Sequence, residues 1–230
     1  MARRLGRIIL VILLGLAIAG AVIWRMSWMT PAWYAPPEED DAAADAIAQD
    51  VEYFVLEQAH KVRPEEDVWQ VVFDETEINA WLATRLSDWA AHQADAEWTE
   101  RIDRPQLHLH DGGVSIAAAV KEDDSVRILR ARFTPRIEDS RLFIVVERFG
   151  LGRVRVPGAP AAALLDRLDD VIPADADIRR TLDSAAKFLA GEFAIDPVFE
   201  LEDGRQVRLE QIQVEDGRVQ LTCRTLPGRR

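Results

Sequence analysis

Gln106-Leu107-His108-Leu109-His110-Asp111-Gly112-Gly113-Val114-Ser115-Ile116-Ala117-Ala118-Ala119-Val120 is the stretch on which the fold turns. Leu107 and Leu109 alternate with His108 and His110, the period of two of a strand that is wet on one face. Gly112-Gly113 supplies a turn, and residues 114–120 return as a second strand. Outward along the chain the pattern continues. A turn at 121–125 leads into a strand at 126–137, and a turn at 138–141 leads into a strand at 142–149. Gly150 and Gly152 frame a break before Arg153-Val154-Arg155-Val156-Pro157. These signals predict an antiparallel meander. Leu142, Ile144 and Val146 against Phe143, Val145 and Phe149 leave no polar face, so that strand is expected to be covered on both sides.

Helices flank the meander. Residues 42–61 carry Ile47, Val51, Phe54, Val55 and Gln58 at spacings of three and four, which predicts an amphipathic helix limited by Pro64. Residues 68–73 read as a strand, and Asp74 or Thr76 caps a helix with Glu77 in its first turn. Its expected face is Ile78, Leu82, Leu86 and Trp89, with Trp81 beside them and Arg85 and Asp88 turned away. Helices are also expected at 159–170 and 177–192. The echo of Leu201-Glu202-Asp203-Gly204-Arg205 in Val214-Glu215-Asp216-Gly217-Arg218 marks two similar turns. The expected class is therefore α+β, an N-terminal transmembrane helix followed by a curved antiparallel sheet packed on helices.

The 230 residues include 28 Lys or Arg and 40 Asp or Glu, a net charge of −12. Phosphate-tracking nucleic-acid binders need clustered cations, so no nucleic-acid partner is expected. At 48% apolar and 30% charged the composition is that of a globular chain. Residues 1–34 carry Arg3, Arg4, Arg7 and Arg25 and no acid. Between Arg7 and Arg25 lie 17 uncharged residues, 8–24, followed by Trp28, Trp33 and Tyr34. Residues 5–29 are accordingly expected to anchor the chain in a membrane, with 1–29 the cytoplasmic stub and anchor, 30–41 an acidic, Pro-containing linker, and 42–230 an extracytoplasmic domain. Ala17-Ile18-Ala19 leaves a cleaved signal peptide as the rival reading. A bacterial inner membrane is the expected address. The lone Cys223 excludes an internal disulfide and reads as a small buried apolar residue.

No motif for chemistry emerges. His108 and His110 could share a metal from one strand face, but a third ligand is missing from the pattern, and solvent-facing polar residues are the expected reading. No Gly-x-Ser-x-Gly elbow or phosphate-cradling glycine loop occurs. No catalytic residue, metal or other cofactor is expected, and the protein is read as non-enzymatic.

The run Phe73-Asp-Glu-Thr-Glu-Ile-Asn-Ala-Trp-Leu82, the meander, Phe149-Gly-Leu-Gly-Arg-Val-Arg-Val-Pro157 and the closing Leu226-Pro227 resemble the bacterial YpmS-like membrane-anchored proteins and, more loosely, tubular lipid-binding domains. Arg153 and Arg155 depart from the apolar family strand, and an extra helix precedes Val68. The resemblance implies a long sheet wrapped on a helix with an apolar groove. The expected function is binding of a lipid or other apolar ligand, with Ile78, Leu82, Leu86, Val145 and Phe149 as the wall, so that a charge at Leu82 abolishes uptake. The alternative is an envelope scaffold or assembly factor that recruits a protein partner. A metal-dependent hydrolase at His108 and His110 ranks third.

Overall fold

The turn signals between residues 106 and 157 each close a hairpin within one sheet, and a second sheet is built from strands before and after that stretch. The computed structural model describes residues 2–93, 102–122, 125–157, 194–201 and 203–227. In chain order α1 (Ala2–Ser27) and α2 (Ala42–His60) lead to β1 (Val68–Asp74), α3 (Glu75–Thr84) and α4 (Leu86–Gln93). There follow β2 (Ile102–His110), β3 (Gly113–Glu122), β4 (Ser125–Glu138), β5 (Arg141–Leu151) and β6 (Val154–Pro157). β7 (Ala194–Ile195), β8 (Val198–Glu200), β9 (Gln206–Glu215) and β10 (Arg218–Thr225) complete the chain. The helices expected at 159–170 and 177–192 lie outside the described residues.

One sheet has the order β2-β3-β4-β5-β6, with β7 on β5, and the other β1-β10-β9-β8. The β4–β5 turn, Asp139-Ser140, has positive φ at both residues (50° and 60°). That is the primed turn whose twist suits a two-residue hairpin. Asp216-Gly217 turns β9 into β10, and Gly204 (φ 80°) turns the chain between β8 and β9. The sheets join where Gly112 N–H donates to Val214 O (3.0 Å) and Gly217 N–H to Leu109 O (3.4 Å). Leu109, Val114 and Val214 are buried at that joint, with Ile78 and Phe133 packed against them. Cys223 is buried with Val207 and Leu209, as expected, and burial pushes its thiol up.

Three local expectations are corrected. In α2 the buried face is Ala44 and Ala48, packed on Ala80 of α3, while Phe54 and Val55 are exposed. Small side chains let the two helices approach closely. The single helix expected from Asp74 to Trp89 breaks at Arg85 (φ −123°), so Ile78 and Leu82 sit on α3 and Leu86 and Trp89 on α4. Arg85 does not turn away: it reaches α2, 2.6 Å from Asp45 and 3.5 Å from Glu52. The linker at 30–41 is held against the domain. Pro31 is buried, Tyr34 donates to Arg104 O (2.7 Å), and Ala35 N–H donates to Gln106 Oε1 (2.6 Å), which lays this segment along β2.

α1 forms as expected, yet among the described residues no helix is long and apolar enough to cross a membrane. Every residue of α1 from Ile12 to Met26 is nevertheless exposed, including Leu13, Leu14, Leu16 and Trp24.

Candidate functional site

The capping box at the start of α3 aims two side chains at β2. Glu77 Oε2 accepts from Asp74 N–H (2.8 Å), which fixes the first turn. One turn apart on that helix, Glu75 and Asn79 then face the outer edge of β2. Asn79 accepts from Leu107 N–H (2.7 Å) and donates to Leu107 O (2.8 Å), and Glu75 Oε2 accepts from Leu109 N–H (2.7 Å). The two side chains occupy the place of a neighbouring strand, so the edge of the six-stranded sheet is covered. The run at 73–82 thus has a structural role.

Against α3 and α4 lies an apolar groove of about 570 Å³. Val51, Val55 and Leu56 of α2 face Ile78, Trp81 and Trp89, with Phe73 between them and Glu52 the one charged residue at the lining. Trp81 and Trp89 meet edge to face at 6.1 Å. Of the five expected wall residues, only Ile78 belongs here. Leu82 and Leu86 line a separate, more polar recess with Asp103, Arg104 and Lys121. Val145 is half-buried on β5 opposite Thr134, and Phe149 lines a third cavity, beside His108 and His110. Trp89 stood on the expected helix face and Val51 and Val55 on the expected α2 stripe, but none of the three was among the five residues named for the wall.

The histidines are half-buried, not solvent-facing. Trp33 stacks on His108 (5.4 Å, 22°), and His108 Nδ1 lies 3.1 Å from both Glu75 oxygens. His110 Nε2 meets Ser115 Oγ at 3.1 Å, and its ring lies over Gly113, where a Cβ would stand 2.7 Å from His110 Cε1. Among the described residues no group of three metal-ligating side chains gathers. Burial, and next the charges of Arg132 and His108, hold the His110 imidazole below its ordinary 6.5. The unfolded chain therefore binds the proton more readily than the native one. Stability is expected to fall as pH drops through about 6.5 toward the depressed native value, and to be insensitive to this group above that window. Thermal melts between pH 7.5 and 5.5 check it; His110→Gln should flatten the upper part of the decline.

The last feature is the seat of α1. Gly152 (φ 56°), in the β5–β6 turn, packs on the carbonyls of Met26 and Ser27, and Arg153 N–H donates to Met26 O (2.9 Å). Arg153 Nε donates to Thr30 O (3.0 Å), and the Arg127 guanidinium lies over the Trp28 ring at 4.3 Å. Compared with protein-family models, with curated proteins and with solved structures, the chain matches none of them.

Proposed function

We propose that the chain is a non-enzymatic domain held at a membrane by α1 that binds a lipid tail or similar apolar ligand in the groove between α2 and α3–α4. The observation that carries the ligand is the groove: about 570 Å³, walled by two tryptophans and aliphatic side chains, in the range of sites that take small ligands. The anchor rests on α1, apolar and exposed on all sides from residue 12 to 26. A helix of that kind needs an apolar surrounding. The run is extended by Leu5 and Met26, and Arg7 and Arg25 can snorkel to the boundary. Arg3, Arg4 and Arg7 ahead of the apolar run and the acids behind it favour a cytoplasmic N-terminus and an extracytoplasmic domain. The resemblance to YpmS-like and tubular lipid-binding domains points the same way.

The test is native mass spectrometry of the full chain, released from detergent after incubation with a membrane lipid extract. A stoichiometric lipid mass is expected. Val55→Glu places a charge in the groove from an exposed helix position and should cut retention by at least about tenfold, since an unpaired buried charge costs several kcal/mol. Leu82→Glu, in the other recess, should leave retention unchanged. A bare protein mass would refute the ligand reading and favour the second one, a scaffold that docks an envelope protein. Tyr53 and Val72, 63% and 45% exposed, support that alternative as apolar surface outside the groove.

A further inference from the structure

Four arginines of this acidic chain line one cavity of about 230 Å³: Arg130 and Arg132 of β4, Arg148 of β5 and Arg155 of β6, with His110 and the Trp33 ring. Strand register puts them there. Arg132 lies directly opposite Arg148, and Arg130 and Arg155 both lie opposite Gly150, one on each side of β5. A β-bulge between Arg132 and Phe133 sets this alignment. Gly150 makes room for it. A Cβ there would collide with Arg130 Nε and stand 2.9 Å from its Cγ, so the guanidinium lies across the bare backbone and donates to Val154 O (3.3 Å).

Like charges placed opposite one another on a sheet lower its stability. Among the described residues one carboxylate, Glu147, pairs with this group, at 2.9 Å from Arg132 Nε but without the alignment of a hydrogen bond. Burial and the neighbouring Arg155 depress the Arg130 guanidinium. Guanidinium groups converging in a partly dry recess match the several oxygens of a phosphate, which they bind in paired hydrogen bonds.

We propose that this pocket binds a phosphate-bearing group, either free phosphate or the headgroup of an anionic lipid. A second cavity of about 740 Å³ shares Trp33, Arg130 and Arg155 with it and is walled by Ile23 and Met26 at the end of α1. A phosphate tethered to an acyl tail therefore has a path from the anchor to the arginines. The lipid source, and it alone, rests on α1 being held in a membrane; the apolar groove plays no part in either source.

The experiment uses the full chain in an uncharged detergent. Three probes are titrated: inorganic phosphate, dihexanoylphosphatidylglycerol, and the phosphate-free dihexanoylglycerol. Binding is read from phosphorus-31 line widths for the first two and from the melting temperature for all three. Phosphate is expected to bind and to raise the melting temperature. Arg148→Gln and Arg155→Gln, both at exposed positions, should each weaken it at least tenfold while raising the melting temperature of the ligand-free protein, because repulsion is relieved. Phosphatidylglycerol binding that is tighter than phosphate and lost in the same variants assigns the lipid source. Binding no tighter than phosphate assigns the free anion. No phosphate binding, binding unchanged in both variants, or a lowered ligand-free melting temperature in both would overturn the site. Val55→Glu, run alongside, should leave phosphate binding intact, so that failure of the groove and failure of the arginine pocket are told apart.

Discussion

Asn79→Ala is expected to destabilise the protein by about 3 kcal/mol, because it leaves the Leu107 N–H and C=O without partners and each buried orphan costs ~1–3 kcal/mol. Asn79 is 6% exposed, so water cannot take over. For a chain of this size the melting temperature should drop by about 6–12 °C. Asn79→Asp separates the two bonds. A carboxylate still accepts from Leu107 N–H (2.7 Å) but cannot donate to Leu107 O (2.8 Å), and it sets a charge against that carbonyl. It should therefore be no better than alanine at neutral pH and recover part of the loss when protonated in acid. Circular-dichroism melts of the three proteins at pH 7 and pH 4 check this. A melting temperature within 2 °C of the parent for Asn79→Ala would mean that α3 does not hold the edge of β2.

The same bond shows what could be read in the chain beforehand. Asp74 and Glu77 stand three apart before an apolar run, a local signature, and α3 begins there. The meander was legible for a similar reason: its turns at 111–112 and 139–140 are chemical signals within a few residues of the strands they join. What escaped was set by partners distant in sequence. Arg85 ends α3 while bound to Asp45 and Glu52 of α2, 40 and 33 positions earlier, and no periodicity within residues 74–89 contains that pull. His108 is half-buried because Trp33 arrives from the segment read as a linker. The arginine pocket is an intermediate case. Arg130 and Arg132 are two apart, as are Arg153 and Arg155, so the shared faces were visible; that Arg132 meets Arg148 depends on a bulge that alternation does not reveal. Of the five expected wall residues, Leu86 left the helix of Ile78 and Leu82 for the first of these reasons, and Val145 and Phe149 lie on β5, away from the groove.

Gly152→Val should release α1 from the domain while leaving both sheets folded. Gly152 has φ 56°, a conformation that costs a non-glycine residue about 1–2 kcal/mol, and more if it is β-branched. A Cβ would also collide with Ser27 O and stand 2.7 Å from Met26 O. That backbone cannot swing aside as a side chain would. Relief comes by moving the end of α1, which breaks the bond from Arg153 N–H to Met26 O (2.9 Å), the bond from Arg153 Nε to Thr30 O (3.0 Å) and the Arg127–Trp28 stack (4.3 Å). These contacts all lie outside the buried clusters around Leu109 and Val207, so domain melting should fall by only a few degrees. Chymotrypsin reads the difference. Trp28, Trp33 and Tyr34 follow α1, and local opening by about 2–3 kcal/mol should speed cleavage there by one to two orders of magnitude. Gly152→Ala should fall between the parent and the valine variant. The seat matters beyond stability, since Arg153, Arg155 and Trp33 wall the cavity that joins α1 to the arginine pocket. A phosphate-bearing lipid should thus lose its advantage over free phosphate in Gly152→Val, while free phosphate binds as before. Equal cleavage rates in parent and valine variant would show that α1 is held by other contacts, and that the cavity does not depend on this turn.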